Sequence, residues 1–473
     1  MSRERDQFWW ALLAAALLSR GLWAIWVHPA QDYLYADMAH YVYRARQLVE
    51  LGVVPGDRSM AWQAWGTHWL LALPMLALGT GAAGLWAANG IWAACSAASV
   101  MLGFALARRC LPARWGPWPA RVVGLALLAW IPLLSQGGYF LSEVPFCCAL
   151  LAATLGVVTL AQDGEGAVSA GAWGAVAFAL RPQVAVFYLL LIPAHWRLSR
   201  REGWRLDRRQ RRASSPRLRS GAALRLGIPL GLALLVSMAH FRIYTGRWGG
   251  VAESATVNLT AGRCHNVETR AFRSQAAMDR GQREGFEASM GRRISLPGFR
   301  ALARAGEGHP LALRPALGSE RIDYVGEAGD PQIHRALRRR CLAATGLVGQ
   351  LRYSLSNVAL AWVIARPWPQ SADHRAPWML PVAQVGRRIA AGLAPVAVLA
   401  MLWALASLWR GRSLALGIVA LQLLAMILVS ALFFATPRLR APYDPYALIL
   451  VVAAVGALVE RLRLGTDPRP RCE

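Results

Sequence analysis

The sequence predicts an all-α polytopic membrane protein with about ten transmembrane helices, juxtamembrane helices and one large extracytoplasmic segment. Two observations lead to this fold class. The 473 residues are 56% hydrophobic with a mean hydropathy of +0.32, which is too apolar for a soluble protein of this size. Apolar runs near the bilayer-spanning length of about 20 residues recur along the chain, and helices satisfy their own backbone inside lipid.

The apolar runs, taken in order, predict ten passages. They cover residues 8–27, 85–107, 122–135, 144–161, 166–180, 184–196, 226–244, 380–409, 414–435 and 446–459. A further run at 69–78 is too short to cross comfortably, and we expect it to lie in or dip into the interface. The charged start followed by a long apolar run is typical of a signal anchor.

The charge pattern indicates a membrane protein rather than a nucleic-acid-binding one. The formal net charge is +26, and every basic residue is an arginine. The arginines concentrate in loops beside apolar runs, where membrane orientation and anionic lipids explain them. We therefore expect membrane lipids as partners and no nucleic acid.

The short arginine-rich loops predict the orientation, because such loops stay in the cytoplasm. They share one side only if the apolar halves around Arg181-Pro182 cross separately. The cytoplasmic loops are then the N-terminus and residues 108–121, 197–225, 410–412 and 461–463. If those halves formed one helix and residues 69–78 also crossed, loop 108–121 would lie outside, so this topology ranks second. We expect a multi-pass protein of the bacterial inner membrane with both termini in the cytoplasm.

This topology divides the chain into three regions. Residues 1–244 form a transmembrane module whose first extracytoplasmic loop is 28–68, residues 245–377 form an extracytoplasmic segment, and 378–473 form the last transmembrane helices. Within the segment, 346–365 mixes apolar and polar residues and predicts an amphipathic helix on the membrane surface. Cys264 and Cys341 could pair as a disulfide in an oxidising compartment or remain two thiols.

The first loop carries the most suggestive polar groups. If residues 38–51 form a helix, one face carries Asp37, Tyr41, Arg44 and Leu48. A carboxylate beside an arginine and aromatic rings at the bilayer edge suits a polar reaction on a lipid-borne substrate. The alternative is that Asp37 is an ordinary N-cap of that helix.

Six short motifs occur along the chain in a distinctive order. They are Ala36-Asp37-Met38-Ala39-His40-Tyr41, His68 before an apolar helix, Ala107-Arg108-Arg109, Leu141-Ser142-Glu143, Arg181-Pro182 and Pro437-Arg438-Leu439-Arg440-Ala441-Pro442-Tyr443. In this order they resemble the GT-C superfamily of membrane glycosyltransferases, most closely its protein mannosyltransferase and aminoarabinose transferase branch. The family often doubles the acidic residue, but here Met38 and Ala39 follow Asp37. No metal ligands are therefore assigned, and a divalent cation is an optional cofactor.

The resemblance implies an inverting transfer of a sugar from a polyprenyl-phosphate donor to a lipid, glycan or protein acceptor at the extracytoplasmic face. Asp37 would be the catalytic base, and arginine would stabilise the leaving phosphate. Substrate-binding roles are implied or inferred for His40, Tyr41, His68, Glu143, Arg181, His265, Arg438, Arg440 and Tyr443.

Several of these residues have structural alternatives. Glu143 could simply favour a helix N-terminus, and Arg181 could form an ion pair with Glu143. Arg438 and Arg440 could anchor at lipid head groups, and His265 could be a hydrogen-bonded loop residue.

The alternative function is a non-enzymatic flippase or transporter of lipid-linked sugars. A transporter more often has repeated halves with matched broken helices. This chain has one evident broken pair, and its polar groups gather on one side. The sequence selects neither the sugar nor the acceptor.

Overall fold

A computed structural model describes residues 2–194, 217–265, 267–280, 313–318, 321–363, 376–433 and 436–465. Positions 197–216 of the predicted cytoplasmic arginine cluster lie outside the described residues. The helices, labelled in chain order, are α1 Ser2–Leu22, α2 Ala36–Leu51, α3 Gly66–Leu78, α4 Ala82–Cys110, α5 Trp118–Ala129, α6 Ile131–Gln136, α7 Glu143–Asp163, α8 Ala167–Leu180, α9 Pro182–Ala194, α10 Arg217–Thr245, α11 Ser254–Cys264, α12 Pro331–Val363, α13 Leu380–Trp409, α14 Leu414–Leu432, α15 Pro437–Arg440 and α16 Asp444–Gly465. A π-helical turn, Trp23–Val27, continues α1.

The polytopic helical architecture is confirmed. Seven helical stretches among the described residues are long and apolar enough to cross a membrane: Gln7–Val27, Ala82–Cys110, Glu143–Asp163, Gly221–Thr245, Pro377–Trp409, Leu414–Leu432 and Arg438–Arg463. Four shorter apolar helices, α3, α5, α8 and α9, accompany them. The interfacial role of α3 and a total of about ten passages stay predictions.

The third predicted passage, residues 122–135, is wrong as a single helix. The structure breaks it at Trp130 into α5 and α6, and Pro132 lies in the first turn of α6. Proline has no N–H to continue the ladder and clashes with the preceding turn. The buried guanidinium of Arg20 donates to the carbonyls of Leu127 and Leu128 at 3.0 and 2.7 Å. Arg20 thereby satisfies carbonyls near the break, which explains a charged residue inside the first span.

Helix α7 lies at the centre of the bundle and packs against α4, α8 and α14. Its small residues permit a close approach to α8. A Cβ at Gly156 would lie 2.7 Å from the backbone nitrogen of Ala170, so only glycine fits there without a shift. The first residue of α7, Glu143, is fully buried.

The segment 245–377 contains structure that its sequence did not predict. Strands β1 (Glu268–Phe272) and β2 (Arg321–Val325) pair in parallel, which adds a small sheet to an otherwise helical fold. Arg270 and Asp323 are register partners and form a two-pronged ion pair with both distances 2.8 Å. Cys264 and Cys341 form a disulfide, so the pairing rather than the two free thiols is present.

The second half of α12, up to Val363, is a helix where the sequence predicted an amphipathic one, and its location on the membrane surface stays a prediction. Gly346, with φ +60°, bends α12 at the position where the predicted helix begins. After the bend, one face consists of exposed apolar side chains. They are Leu347, Val348, Leu351 and Leu355. On the other face, Gln350 and Asn357 donate to backbone carbonyls of α11 at 2.8 and 3.2 Å.

Candidate functional site

Four charged side chains from distant parts of the chain form a continuous ion-pair cluster. Arg438 Nη1 lies 3.0 Å from Asp37 Oδ2, and Arg438 Nε donates to Glu143 Oε1. Arg181 Nη2 donates to the same Glu143 oxygen at 2.6 Å. Glu143 and Arg181 are nearly inaccessible, whereas Asp37 and Arg438 are 38% and 40% exposed. A ligand can therefore reach the Asp37–Arg438 end.

Helix termini position two members of this cluster. Glu143 is the first residue of α7, where the N-terminal dipole favours a carboxylate. Arg181 lies between α8 and α9 with an extended backbone, as expected for a residue before proline. Its Nε donates to Ser142 Oγ at 2.8 Å. The Arg181–Glu143 ion pair that the sequence offered as the alternative is present, and a direct role of Arg181 toward phosphate stays a prediction.

Asp37 does not cap the helix that follows. Tyr35 is the N-cap of α2 and makes no side-chain cap, and Asp37 lies in the first turn. Its Oδ1 accepts a hydrogen bond from Gln63 Nε2 at 3.0 Å. The carboxylate is therefore held from two sides, by Gln63 and by Arg438, and the N-cap interpretation is wrong.

Arg44 lies beneath Asp37 and is 1% exposed. Its Nη2 donates to Gln63 Oε1, its Nε donates to the backbone oxygen of His40 at 3.1 Å, and its guanidinium lies 4.8 Å from the ring centroid of Tyr41. The shared face that the sequence predicted for Tyr41 and Arg44 is confirmed. Gln63 was missed, since an amide between tryptophans carries no recognisable signal.

A buried polar pocket continues from Arg44. It is formed by Arg44, His68 of α3, and His240 and Tyr244 of α10, with ring centroids 5.7 Å apart for His68–His240 and 4.7 Å for His240–Tyr244. Within the described part of the chain, Arg44 Nη1, both nitrogens of each histidine and the Tyr244 hydroxyl have no hydrogen-bond partner. Unpaired buried polar groups are costly, so Arg44, His68, His240 and Tyr244 form a cluster of donors and acceptors that the described protein leaves unsatisfied.

Two tyrosines border the open end of the cluster. Tyr35 and Tyr139 are hydrogen-bonded to each other, and Arg438 lies near both. Burial raises the pKa of Tyr139 well above its usual value, with the neighbouring Tyr35 contributing, and burial also raises the pKa of Tyr35. Both phenols therefore remain protonated at neutral pH. Neither residue was singled out from sequence.

Four other predicted residues lie outside the cluster. His40 is exposed on α2. Tyr443 is buried and accepts a hydrogen bond from Gln183 at 3.1 Å. Arg440 turns away and pairs with Asp444 at 2.9 Å. His265 is buried in the segment 245–377, where its Nδ1 lies 2.7 Å from a backbone oxygen and burial lowers its pKa. Their roles toward a substrate stay predictions.

The described residues contain no group of three or more His, Cys, Asp or Glu side chains placed to hold a metal ion. The two carboxylates nearest each other in the site, Asp37 and Glu143, are bridged by the Arg438 guanidinium. The side chains as arranged therefore fit an ion-pair cluster better than a divalent cation.

Comparison with known proteins finds similarity only among solved structures. No family model and no curated protein matches the chain. It is similar to the oligosaccharyltransferase of Archaeoglobus fulgidus in the apo form, with 11% identity and a TM-score of 0.49. That match covers 100% of this chain and 54% of the other, so the chain spans about half the length of that protein.

A second similarity is to ArnT from Cupriavidus metallidurans bound to undecaprenyl phosphate. The identity is 14% and the TM-score 0.35, with 96% of this chain and 79% of the other covered. Similarities at this level assign no activity to the chain.

Proposed function

We propose that the chain is an inverting membrane glycosyltransferase that moves a sugar from a polyprenyl-phosphate donor to an acceptor at the extracytoplasmic face of a bacterial inner membrane. The observation that carries the proposal is an accessible carboxylate, Asp37, adjoining a buried pocket of hydrogen-bond donors. The carboxylate and the pocket are connected through Gln63 and Arg44. A base beside a site for an anion is what glycosyl transfer from a phosphate requires.

The reaction is a single displacement. Asp37 accepts the proton of an acceptor hydroxyl while that oxygen attacks the anomeric carbon. The bond between the anomeric carbon and the phosphate oxygen breaks, and the electron pair leaves with the polyprenyl phosphate. Attack opposite the leaving group inverts the anomeric configuration.

The pocket stabilises the charge that develops on the leaving phosphate. Arg44 supplies a permanent positive charge, and His68, His240 and Tyr244 supply N–H and O–H donors. Donors that are fixed before the reaction and kept from water stabilise such a charge strongly. Arg438 contacts both Asp37 and Glu143, and it is the accessible guanidinium beside the base.

The arrangement favours an enzyme over a flippase of lipid-linked sugars. Glu143 begins α7, Asp37 lies in the first turn of α2, and Arg438 precedes α16. The site gathers at helix ends, and the sequence has no internal repeat of the kind that forms the two halves of a transporter.

The test uses the purified chain in liposomes with a panel of polyprenyl-phosphate-linked sugars. Sugar transfer to added acceptors and translocation of the donor are measured in the same preparation. We expect sugar transfer to the acceptor. The donor for this assay is identified as the lipid-linked sugar that accumulates in a deletion strain. Translocation without transfer would favour the flippase.

A pair of matched variants tests the phosphate pocket. Tyr244→Phe removes a buried hydroxyl that has no partner among the described residues. It should weaken binding of undecaprenyl phosphate about tenfold without loss of stability, because no hydrogen bond within the protein is lost. Tyr188→Phe removes a hydroxyl that donates to Ala170 at 2.8 Å, so it should lower stability by about 1 kcal/mol and leave binding unchanged. Equal binding by both variants would refute the pocket.

A further inference from the structure

The amide of Gln63 has one chemically allowed orientation. Arg44 has only donors, so it must face the amide oxygen, and it donates to Gln63 Oε1. The amide nitrogen then points at Asp37 and donates to Oδ1 at 3.0 Å. Arg44 is 1% exposed and is itself fixed by the backbone of His40. The buried arginine thus orients an amide, and the amide orients the carboxylate.

The turn that carries Gln63 is held by the extracytoplasmic segment. The backbone nitrogens of Glu253 and Ser254 each donate at 2.9 Å, to the oxygens of Ala61 and Trp62. These are the two residues immediately before Gln63. The segment therefore fixes the backbone from which the amide reaches Asp37.

The carboxylate of Glu253 strengthens the same attachment. It is 3% exposed and accepts from Arg58 Nε at 3.1 Å and from Arg247 Nη2 at 2.5 Å. Arg58 begins the turn, and Arg247 follows α10. A buried carboxylate with two arginine partners holds geometry more strongly than a surface ion pair does.

We propose that Gln63 is a positioning residue for Asp37, and that Glu253 holds the turn that carries it. This inference rests on the proposed function of Asp37 as the base. It gives residues 245–377 a role at the site: whatever orders the start of the segment also orders the catalytic carboxylate. Acceptor binding to the segment would then be coupled to the base through backbone hydrogen bonds.

The first test replaces Gln63 by Glu and by Leu. Gln63→Glu keeps an acceptor for Arg44, so the fold is retained, but it sets a negative oxygen against Asp37. We expect kcat to fall at least tenfold in both variants, while KM for the donor stays within threefold of its value in the unmodified chain. The acid limb of the kcat–pH profile should move to higher pH in Gln63→Glu, because the carboxylate loses a donor and gains a negative neighbour.

Gln275→Glu is the matched control. Gln275 is an exposed amide that donates to Asp279 Oδ1 at 2.8 Å, so the chemical change is the same in a place away from the cluster. It should keep kcat and the pH profile within twofold of the unmodified chain.

The second test replaces Glu253 by Gln and follows amide hydrogen exchange. Glu253→Gln should raise exchange in residues 56–65, and Gln63→Leu should raise exchange in 36–41. The double variant combines Glu253→Gln with Gln63→Leu. Its fold-loss of kcat should be smaller than the product of the two single fold-losses, because both substitutions act through the same turn.

The outcomes separate the two proposals. Unmodified kinetics for both Gln63 variants overturn the positioning role, and unchanged exchange in residues 56–65 overturns the role of Glu253. If the unmodified chain transfers no sugar from any donor, the proposed function fails, and the two exchange measurements still decide both contacts.

Discussion

Replacing Asp37 by Asn separates chemistry from stability most cleanly. The carboxylate makes two contacts, with Gln63 at 3.0 Å and with Arg438 at 3.0 Å, and both ion-pair partners are more than a third exposed. An exposed ion pair contributes about 0.2–1 kcal/mol, and one hydrogen bond contributes about 1 kcal/mol. The asparagine carbonyl can still accept a hydrogen bond from one of these two donors. We therefore expect a loss of stability of at most about 1–2 kcal/mol.

The expected effect on the reaction is larger. The asparagine amide cannot accept the proton of the acceptor hydroxyl. General base catalysis contributes about 10²- to 10⁴-fold, which corresponds to about 2.7–5.4 kcal/mol in the barrier at about 1.36 kcal/mol per decade. The rate effect thus exceeds the stability effect.

The assay compares Asp37→Asn with the unmodified chain in the same lipid. Thermal unfolding and undecaprenyl phosphate binding should stay close to those of the unmodified chain, while kcat for sugar transfer falls at least a hundredfold. Normal turnover by Asp37→Asn would refute the base assignment. Asp32 and Glu143 would then be the next candidates, although Glu143 is fully buried between two arginines.

Three further predictions follow from other contacts. Arg181→Lys keeps the charge but loses the two-pronged grip of the guanidinium on phosphate, so kcat should fall about tenfold in a folded protein. The control is Arg109→Lys, at an exposed ion pair near the far end of α7, which should leave kcat unchanged. A cysteine placed at Ala328 should be labelled in intact cells and one at Ser214 only after permeabilisation; strong outside labelling at Ser214 would contradict the topology. Burial, with a nearby arginine contributing, lowers the pKa of His334 from 6.5 to about 4. As the pH falls from about 6.5 toward 4, the histidine of the unfolded chain therefore binds a proton before that of the folded chain does, and the stability of the segment should fall. Circular dichroism melts should show this slope, and His334→Gln should flatten it.

Much of the helical framework could be predicted because its causes are local. Hydropathy marked most of the spans, and the break at Arg181-Pro182 follows from the missing N–H of proline and the restricted residue before it. The bend of α12 at Gly346 coincides with the predicted start of the amphipathic helix. The prediction of one helix over 122–135 failed at Trp130, although Pro132 is a local signal for the break. The tertiary structure adds Arg20, a residue of another helix, as the donor to the carbonyls of Leu127 and Leu128.

The sequence by itself determined that acidic and basic groups lie at helix ends on one side, and it selected Asp37, Glu143, Arg181 and Arg438. Only the tertiary structure decided their partners. Arg438 meets Asp37 because the last helices pack beside the first loop, and no local pattern specifies that approach.

The same reason explains the residues that sequence reasoning missed. Gln63 lies in the first loop, and His240 and Tyr244 lie one turn apart on α10; each looks ordinary in its own part of the chain. They become a site because long-range packing buries Arg44 among them and leaves polar atoms unpaired. Local propensity sets which segments are helices, whereas the burial of polar groups, and hence the candidate chemistry, is set by contacts between segments that are far apart in sequence.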